Sequence, residues 1–255
     1  MTTVEKQLES IKKLESKFFI DIGASCHSGD SQSEMLLEHD WKGLMFECDP
    51  QKYPIQIEKM KDKNVSVIFE KVTPENILDI LEKNNVPDGF YLSLDIDGYD
   101  FYVLEKILSK YKPGLIISEI NEKIPAPIKF SVKYDSDYFW DQSHYFGYSL
   151  SMLEDLIDSN GYKIKELDFN NVVLIPGKQE ENISEIYTNG YLNRPERKSI
   201  FYYNSDFEEV YTMSEEEQIS FIDFKFKPFI NERQAYPGHQ LDGKKISYRN
   251  YILNV

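Results

Sequence analysis

Four acids stand at or near the ends of short apolar runs, and they are the chemistry this chain offers first. They are Asp21 in Phe18-Phe19-Ile20-Asp21-Ile22-Gly23-Ala24-Ser25, Glu47 in Gly43-Leu44-Met45-Phe46-Glu47-Cys48-Asp49-Pro50, Asp95 in Tyr91-Leu92-Ser93-Leu94-Asp95, and Glu119 in Ile116-Ile117-Ser118-Glu119. A strand, a glycine turn, a helix and a second strand ending in an acid about 20 residues on is how open α/β folds hold a nucleoside. Gly23 lets the backbone approach the ligand, and Glu47 can accept both ribose hydroxyls. A dinucleotide fingerprint would need G-x-G-x-x-G to bring main chain against a pyrophosphate. This chain has Gly23-Ala24-Ser25-Cys26-His27-Ser28 instead, with Asp21 just ahead of it. A carboxylate there repels phosphate and suits a ligand that carries an ammonium group.

The second pair of acids suggests a different task. Neighbouring strands lie ~4.8 Å apart, so Asp95 and Glu119 would project from adjacent strand ends into one crevice. Carboxylates that close repel one another, and a shared proton, a basic partner or a divalent cation must offset this. Asp97 and Asp100 follow in Asp95-Ile96-Asp97-Gly98-Tyr99-Asp100, and His144 lies in the next loop. His144 and Asp97 are the candidate catalytic pair. With Asp95 and Glu119, His144 also completes an oxygen-plus-imidazole metal set suited to Mg, Mn or Fe. Plainer roles compete: Asp100 as a helix N-cap, Asp97-Gly98 as a turn, His144 as a packed side chain. After the third strand, Thr73 reads as a helix cap in a loop where a nucleobase would rest.

These residues need a sheet to hold them. Strands are predicted at 18–22, 43–47, 65–69, 90–95 and 114–119, with helical patterns at 31–39, roughly 51–61, 75–84 and 100–110. Alternation at this spacing argues for a parallel sheet with helices on both faces. Val4, Leu8, Ile11 and Leu14 form a leading amphipathic helix. A polar, aromatic loop over 120–147 precedes a helix at about 148–160, which Gly161 stops. Strands at 162–168 and 171–176 then read as a hairpin with Asn170-Asn171 at the junction. The expectation is an α/β Rossmann-like, mostly parallel seven-stranded sheet with a C-terminal hairpin. Residues 1–178 form that domain, and 179–255 a C-terminal extension serving as substrate cap or dimerisation surface, compatible with a homodimer.

Composition sets bounds. The 255 residues carry 44 acids and 29 bases, a formal charge of −15. That field repels polyanions, so nucleic acid and an acidic membrane surface are not expected partners. A small anionic substrate could still use Arg194, Arg197 and Lys198, the dense basic cluster of the tail, against which a solvated surface turn is the alternative. Tyr187, Tyr191 and Tyr236 could stack on a sugar or base, though packing is the commoner use. Cys26 and Cys48 both lie at predicted strand ends, where a bridge is compatible with the geometry. Residues 1–15 are charged and helical in pattern, unlike an apolar export signal, so reduced thiols and a cytoplasmic location are expected. No apolar run reaches 18 residues.

Asp21-Ile22-Gly23-Ala24, Glu47-Cys48-Asp49-Pro50 and Leu94-Asp95-Ile96-Asp97-Gly98-Tyr99-Asp100 resemble the S-adenosylmethionine (SAM)-dependent methyltransferases of the class I fold. Within that fold, Ser118-Glu119-Ile120-Asn121, Ile124-Pro125 and His144-Tyr145-Phe146-Gly147 are similar to small bacterial enzymes of capsule and lipopolysaccharide synthesis, distantly of the FkbM type. The similarity covers about 17–176. It implies SAM at Asp21, Gly23 and Glu47, and Ser25, Cys48, Thr73 and Asp95 complete the expected cofactor-binding set. It further implies methyl transfer to a sugar hydroxyl, with a divalent metal at the strand-end acids in some such enzymes. The second motif glycine is Ser25 here, which shifts how the methionine part would be held. The expected acceptor is a nucleotide-activated sugar for surface polysaccharide. A nucleoside-binding protein that kept the fold and lost the chemistry is the alternative, and it would have no need of Asp95 with Glu119.

Overall fold

The computed structural model describes residues 1–24, 32–141, 143–198 and 205–232. Seven strands form one sheet in the order β3-β2-β1-β4-β5-β7-β6. They are β1 (Phe18–Ile22), β2 (Lys42–Glu47), β3 (Val65–Phe69), β4 (Tyr91–Leu94), β5 (Leu115–Glu119), β6 (Tyr162–Asp168) and β7 (Asn171–Pro176). The first five pair in parallel. The two-residue connection Phe169-Asn170 makes β6 and β7 run in opposite directions, so one of them opposes the parallel five. The turn is therefore one residue earlier than Asn170-Asn171, with Phe169 in the left-handed region at φ 63°. This is the Rossmann-like class I methyltransferase fold, a mostly parallel sheet closed by a C-terminal hairpin.

Burial explains why the central strands are apolar without alternation. In β1 and β2 nearly every residue is buried, as expected where helices cover both faces of a parallel sheet. The outermost strand of that side, β3, has no buried residue: Val65, Val67 and Ile68 are half-buried, and Ser66 and Phe69 are exposed. Helices separate the strands: α1 (Thr3–Ile11), α2 (Tyr53–Met60), α3 (Ile77–Lys83) and α4 (Asp100–Leu108). The segment expected as a helix at 31–39 is a 3-10 helix over Gln32–His39. The predicted helix at 148–160 begins with a 3-10 turn at Leu150–Met152 before α5 (Leu153–Asn160). Gly161 ends α5 in the left-handed conformation, φ 73°, at no steric cost.

Chain contacts divide the molecule into two units. The first comprises 1–96, 102–118 and 173–176. Its core on one face of the sheet contains Phe19, Met45, Tyr91, Leu115, Ile117 and Val173, covered by Val4 and Ile11 of α1 and by Leu36 and Trp41. Burying Val4 and Ile11 contributes about 1.5–3 kcal/mol each. A capping box starts α1: Thr2 Oγ1 accepts from the Glu5 N–H at 3.2 Å, and Glu5 Oε2 accepts from the Thr2 N–H at 2.6 Å.

The second unit comprises 97–101, 119–172 and the chain from 177. Its core is aromatic. Phe226 of the last described helix, α7 (Glu215–Glu232), lies 5.1 Å from Phe130 and 5.4 Å from Tyr145, ring centre to ring centre. Phe207 joins them at 6.1 Å from Phe226. A second cluster joins Tyr187 of α6 (Ile183–Tyr187) to Tyr191 and Tyr211. The Tyr187 hydroxyl donates to the Glu122 carbonyl at 2.6 Å and the Tyr211 hydroxyl to the Lys123 carbonyl at 3.3 Å. Tyr187 and Tyr191 are thus buried packing residues, and Tyr236 lies outside the described residues. No described helix is long and apolar enough to cross a membrane.

Candidate functional site at the strand ends

The register aligns the acids before any side chain is considered. Ile68, Phe46, Ile22, Leu94 and Ser118 form one row across five strands. The next residues along four of those strands are Glu47, Gly23, Asp95 and Glu119. They stand together at the carboxyl edge, where open α/β sheets bind ligands.

Gly23 is held hard against its neighbour. The Asp95 N–H donates to the Ile22 carbonyl at 3.0 Å, and Gly23 turns away with φ +90°. A Cβ at this position would fall 1.6 Å from the Asp95 carbonyl oxygen. Both the sign of φ and the contact therefore require glycine. Ahead of it, Asp21 is only 4% exposed on the face that carries Phe19 and Tyr91. Burial, and after it the Asp21 charge, push the Tyr91 phenol well above its usual range. Ser25 and Cys26 lie outside the described residues.

Glu47 is 8% exposed, and its Oε1 accepts from the Asp49 N–H at 2.8 Å. Asp49 Oδ1 in turn accepts from the Gln51 N–H at 2.7 Å, so the turn after β2 is built from its own acids. Cys48 is exposed with a free thiol, and partial burial followed by the Glu47 charge raises its pKa. The loop after β3 departs from expectation. Thr73 does not cap α3; the N-cap residue is Asn76. Asn76 Oδ1 accepts from the Thr73 N–H at 2.8 Å, while its Nδ2 donates to the Lys71 carbonyl at 2.9 Å. Turn residues intervene between Thr73 and α3, and the Asn76 amide, accepting at Oδ1 and donating at Nδ2, closes them.

At the ends of β4 and β5, carboxylate oxygens of Asp95, Asp97 and Glu119 all lie within 4.8 Å of one another. Asp97 adopts φ +55°, a left-handed conformation that a non-glycine residue holds at some cost. Asp100 is buried, and its Oδ2 accepts from the Gly98 N–H at 2.9 Å, tying the start of α4 to the turn. Glu119 Oε1 accepts from Asn170 Nδ2 at 2.6 Å, in the β6–β7 turn. His144 is not part of this group of three acids. Its ring packs edge-on against Phe207 at 4.8 Å, and its carbonyl accepts from Asn121 Nδ2 at 2.8 Å.

Three positioning residues were not legible beforehand: Asn76, Asn121 and Asn170. Asn-Asn at a hairpin junction signals a turn, but nothing in it says that one amide reaches Glu119 across 51 positions. The basic cluster is engaged as well. Arg194 pairs with Asp168, and Arg197 with Glu208 at 2.5 Å.

No family model and no curated protein matches the chain. Among solved structures it is similar to a SAM-dependent methyltransferase from Aquifex aeolicus, at 13% identity over 68% of this chain and 88% of that one, TM-score 0.38. It is also similar to a putative caffeoyl-CoA O-methyltransferase from Staphylococcus aureus, at 14% identity over 67% and 79%, TM-score 0.42. A third is the O-methyltransferase of a trans-AT polyketide synthase multienzyme of Brevibacillus brevis, in complex with S-adenosyl-L-homocysteine. It shares 12% identity over 90% of this chain and 67% of that one, TM-score 0.40.

Proposed function

We propose that the protein is a SAM-dependent O-methyltransferase acting on the hydroxyl of a nucleotide-activated sugar. The observation that carries the reading is the turn at Gly23, pressed onto the Asp95 carbonyl with Glu47 one strand away and a buried acid, not a phosphate cradle, ahead of it. SAM matches that chemistry, with a ribose for Glu47, a cationic amino-acid part and no phosphate. Transfer is an in-line displacement at the sulfonium, so the chain must align the acceptor hydroxyl, take its proton and exclude water. Asp97 and His144 are the candidate proton acceptors. Three clustered carboxylates are a hard oxygen donor set that fits a magnesium or manganese ion. Asp95, Asp97 and Glu119 would hold it, and such an ion lowers the pKa of a bound hydroxyl. With a net charge of −15, a small acceptor suits the chain better than a nucleic acid. The exposed thiol of Cys48 fits a reducing cytoplasm.

Calorimetric titration with SAM, S-adenosylhomocysteine and NAD tests the cofactor. SAM and its product should bind and NAD should not; NAD binding without SAM would overturn the assignment. Glu47→Ala removes charge-assisted hydrogen bonds and should weaken SAM binding about tenfold to a hundredfold. An unchanged dissociation constant in the folded variant would remove Glu47 from this role. Turnover against a panel of nucleotide sugars tests the acceptor, and chelation tests the ion: activity should vanish and return with added metal. SAM binding without any turnover would favour the non-catalytic alternative.

A further inference from the structure

The second unit contains a cavity of about 300 Å³ lined by Lys133, Asp135, Asp137, Tyr138, Phe139 and Tyr145. That volume is at the lower end for small-ligand sites. We propose that it is a saccharide subsite that takes the neutral or amino-sugar unit of the acceptor; this rests on the methyl-transfer reading above.

The cavity belongs to a lobe held together by backbone and side-chain hydrogen bonds. Ser131 and Tyr148 form an antiparallel bridge at its base, and the Val132 N–H donates to the Gly147 carbonyl at 2.9 Å. Inside the lobe, the Tyr138 hydroxyl donates to the Tyr145 carbonyl at 2.5 Å, fixing one wall. The Asp137 N–H donates to Asp135 Oδ1 at 2.9 Å, so the two acids share one turn.

The lobe is also tied to the segments that carry two of the strand-end acids. Asn121, two residues after Glu119, donates from Nδ2 to the carbonyls of His144 and Phe146 at 2.8 and 3.0 Å. Tyr99, two residues after Asp97, meets Tyr134 edge-on at 5.1 Å.

The lining selects a ligand class. Phe139 is a large aromatic left 64% exposed, against the usual tendency to bury such a ring. The electron-rich face of an aromatic ring attracts polarised C–H groups, and a pyranose has a face of them. Asp135 and Asp137 are exposed acceptors for sugar hydroxyls or an ammonium. One lysine against two aspartates leaves a local charge of 1 − 2 = −1, which disfavours uronate or phosphate. The charged end of a nucleotide sugar would therefore lie elsewhere.

The two tryptophans separate cleanly as reporters: Trp41 is buried in the first unit's core, while Trp140, next to Phe139, is exposed. Full-length protein is titrated with methyl glycosides of a neutral hexose, an amino hexose and a uronic acid, read by tryptophan emission and saturation-transfer NMR. Neutral and amino glycosides should bind saturably and the uronate much more weakly. Asp137→Asn and Phe139→Ala should each weaken binding about tenfold. Both positions are exposed, so folding should persist; if Phe139→Ala misfolds, Asp137→Asn decides alone. SAM titrated into the same samples should bind as in the unaltered protein. Absence of saturable glycoside binding, or binding that ignores both substitutions, overturns the subsite. Failure to bind SAM would instead overturn the methyl-transfer reading, and the glycoside titration would still judge the cavity.

Discussion

The two units reach stability by different routes. In the first, aliphatic strands alternate with helices. In the second, Phe130 and Tyr145 from an irregular loop meet Phe207 and Phe226 from the far end of the chain. The second core also encloses charge. Lys123 Nζ lies 3.2 Å from Glu122 Oε1 with both side chains 6% exposed, and 4.6 Å from the centre of the Phe146 ring. The first unit buries acids as well, Asp21 and Glu47. A core assembled from loops must satisfy the backbone groups it encloses, and the hydroxyls of Tyr138, Tyr187 and Tyr211 donate to backbone carbonyls here.

That contrast can be broken at its ionic centre. Lys123→Met should strip Glu122 of its partner and cost about 3–5 kcal/mol in urea unfolding. Adding Glu122→Met should recover most of the loss; if the double variant is no better than the single one, the pair is not what the second core depends on.

In the first unit the weakest tolerance is at one backbone position. Gly23→Ala meets both the Asp95 carbonyl and a forbidden φ, and a loss on the order of 3 kcal/mol is expected, with SAM binding impaired. A variant as stable as the parent would mean the turn can relax away from β4.

Alkaline titration sharpens the comparison. Burial, more than neighbouring charge, raises the phenols of Tyr187, Tyr191 and Tyr211 in the second unit and Tyr91 in the first. A group whose pKa is raised by folding keeps its proton in the native state and loses it on unfolding. Its stabilisation is present below the unfolded value of about 10 and falls as pH rises beyond it, by about 1.4 kcal/mol per pH unit for each phenol. Tyr187→Phe should lessen that slope; an unchanged slope would remove this phenol from the titration.

The smallest effect expected is at the first helix. Thr2→Ala removes one half of a capping box and should cost about 1 kcal/mol, seen as a small shift of the urea midpoint. No shift would show that α1 is held by Val4 and Ile11 alone.

All seven strands could be placed within a residue or so from the sequence: the central parallel strands, buried on both faces, are continuous apolar runs, and glycine, proline and asparagine punctuate the chain. Asp95 and Glu119 follow from the same pattern, since a charge ends a buried run where the sheet edge reaches solvent, whereas Asp21 and Glu47 are buried. Helix type was less legible. Residues 32–39 have a helical spacing but form 3-10 turns, and residues near 73 carry a cap residue that the backbone does not use. Local propensity is too small to decide between such alternatives once packing intervenes.

The amino-acid sequence by itself determined the alternation of strand and helix, the glycine turn after β1 and the acids that end the strands, because each depends on residues close along the chain. Tertiary structure alone decided that Asn170 grips Glu119, that Asn121 anchors His144, and that Tyr187 and Tyr191 pack inside instead of facing a ligand. Those outcomes depend on which distant side chains share a dielectric and a hydrogen bond, and loop closure over dozens of residues leaves no periodic trace in the sequence.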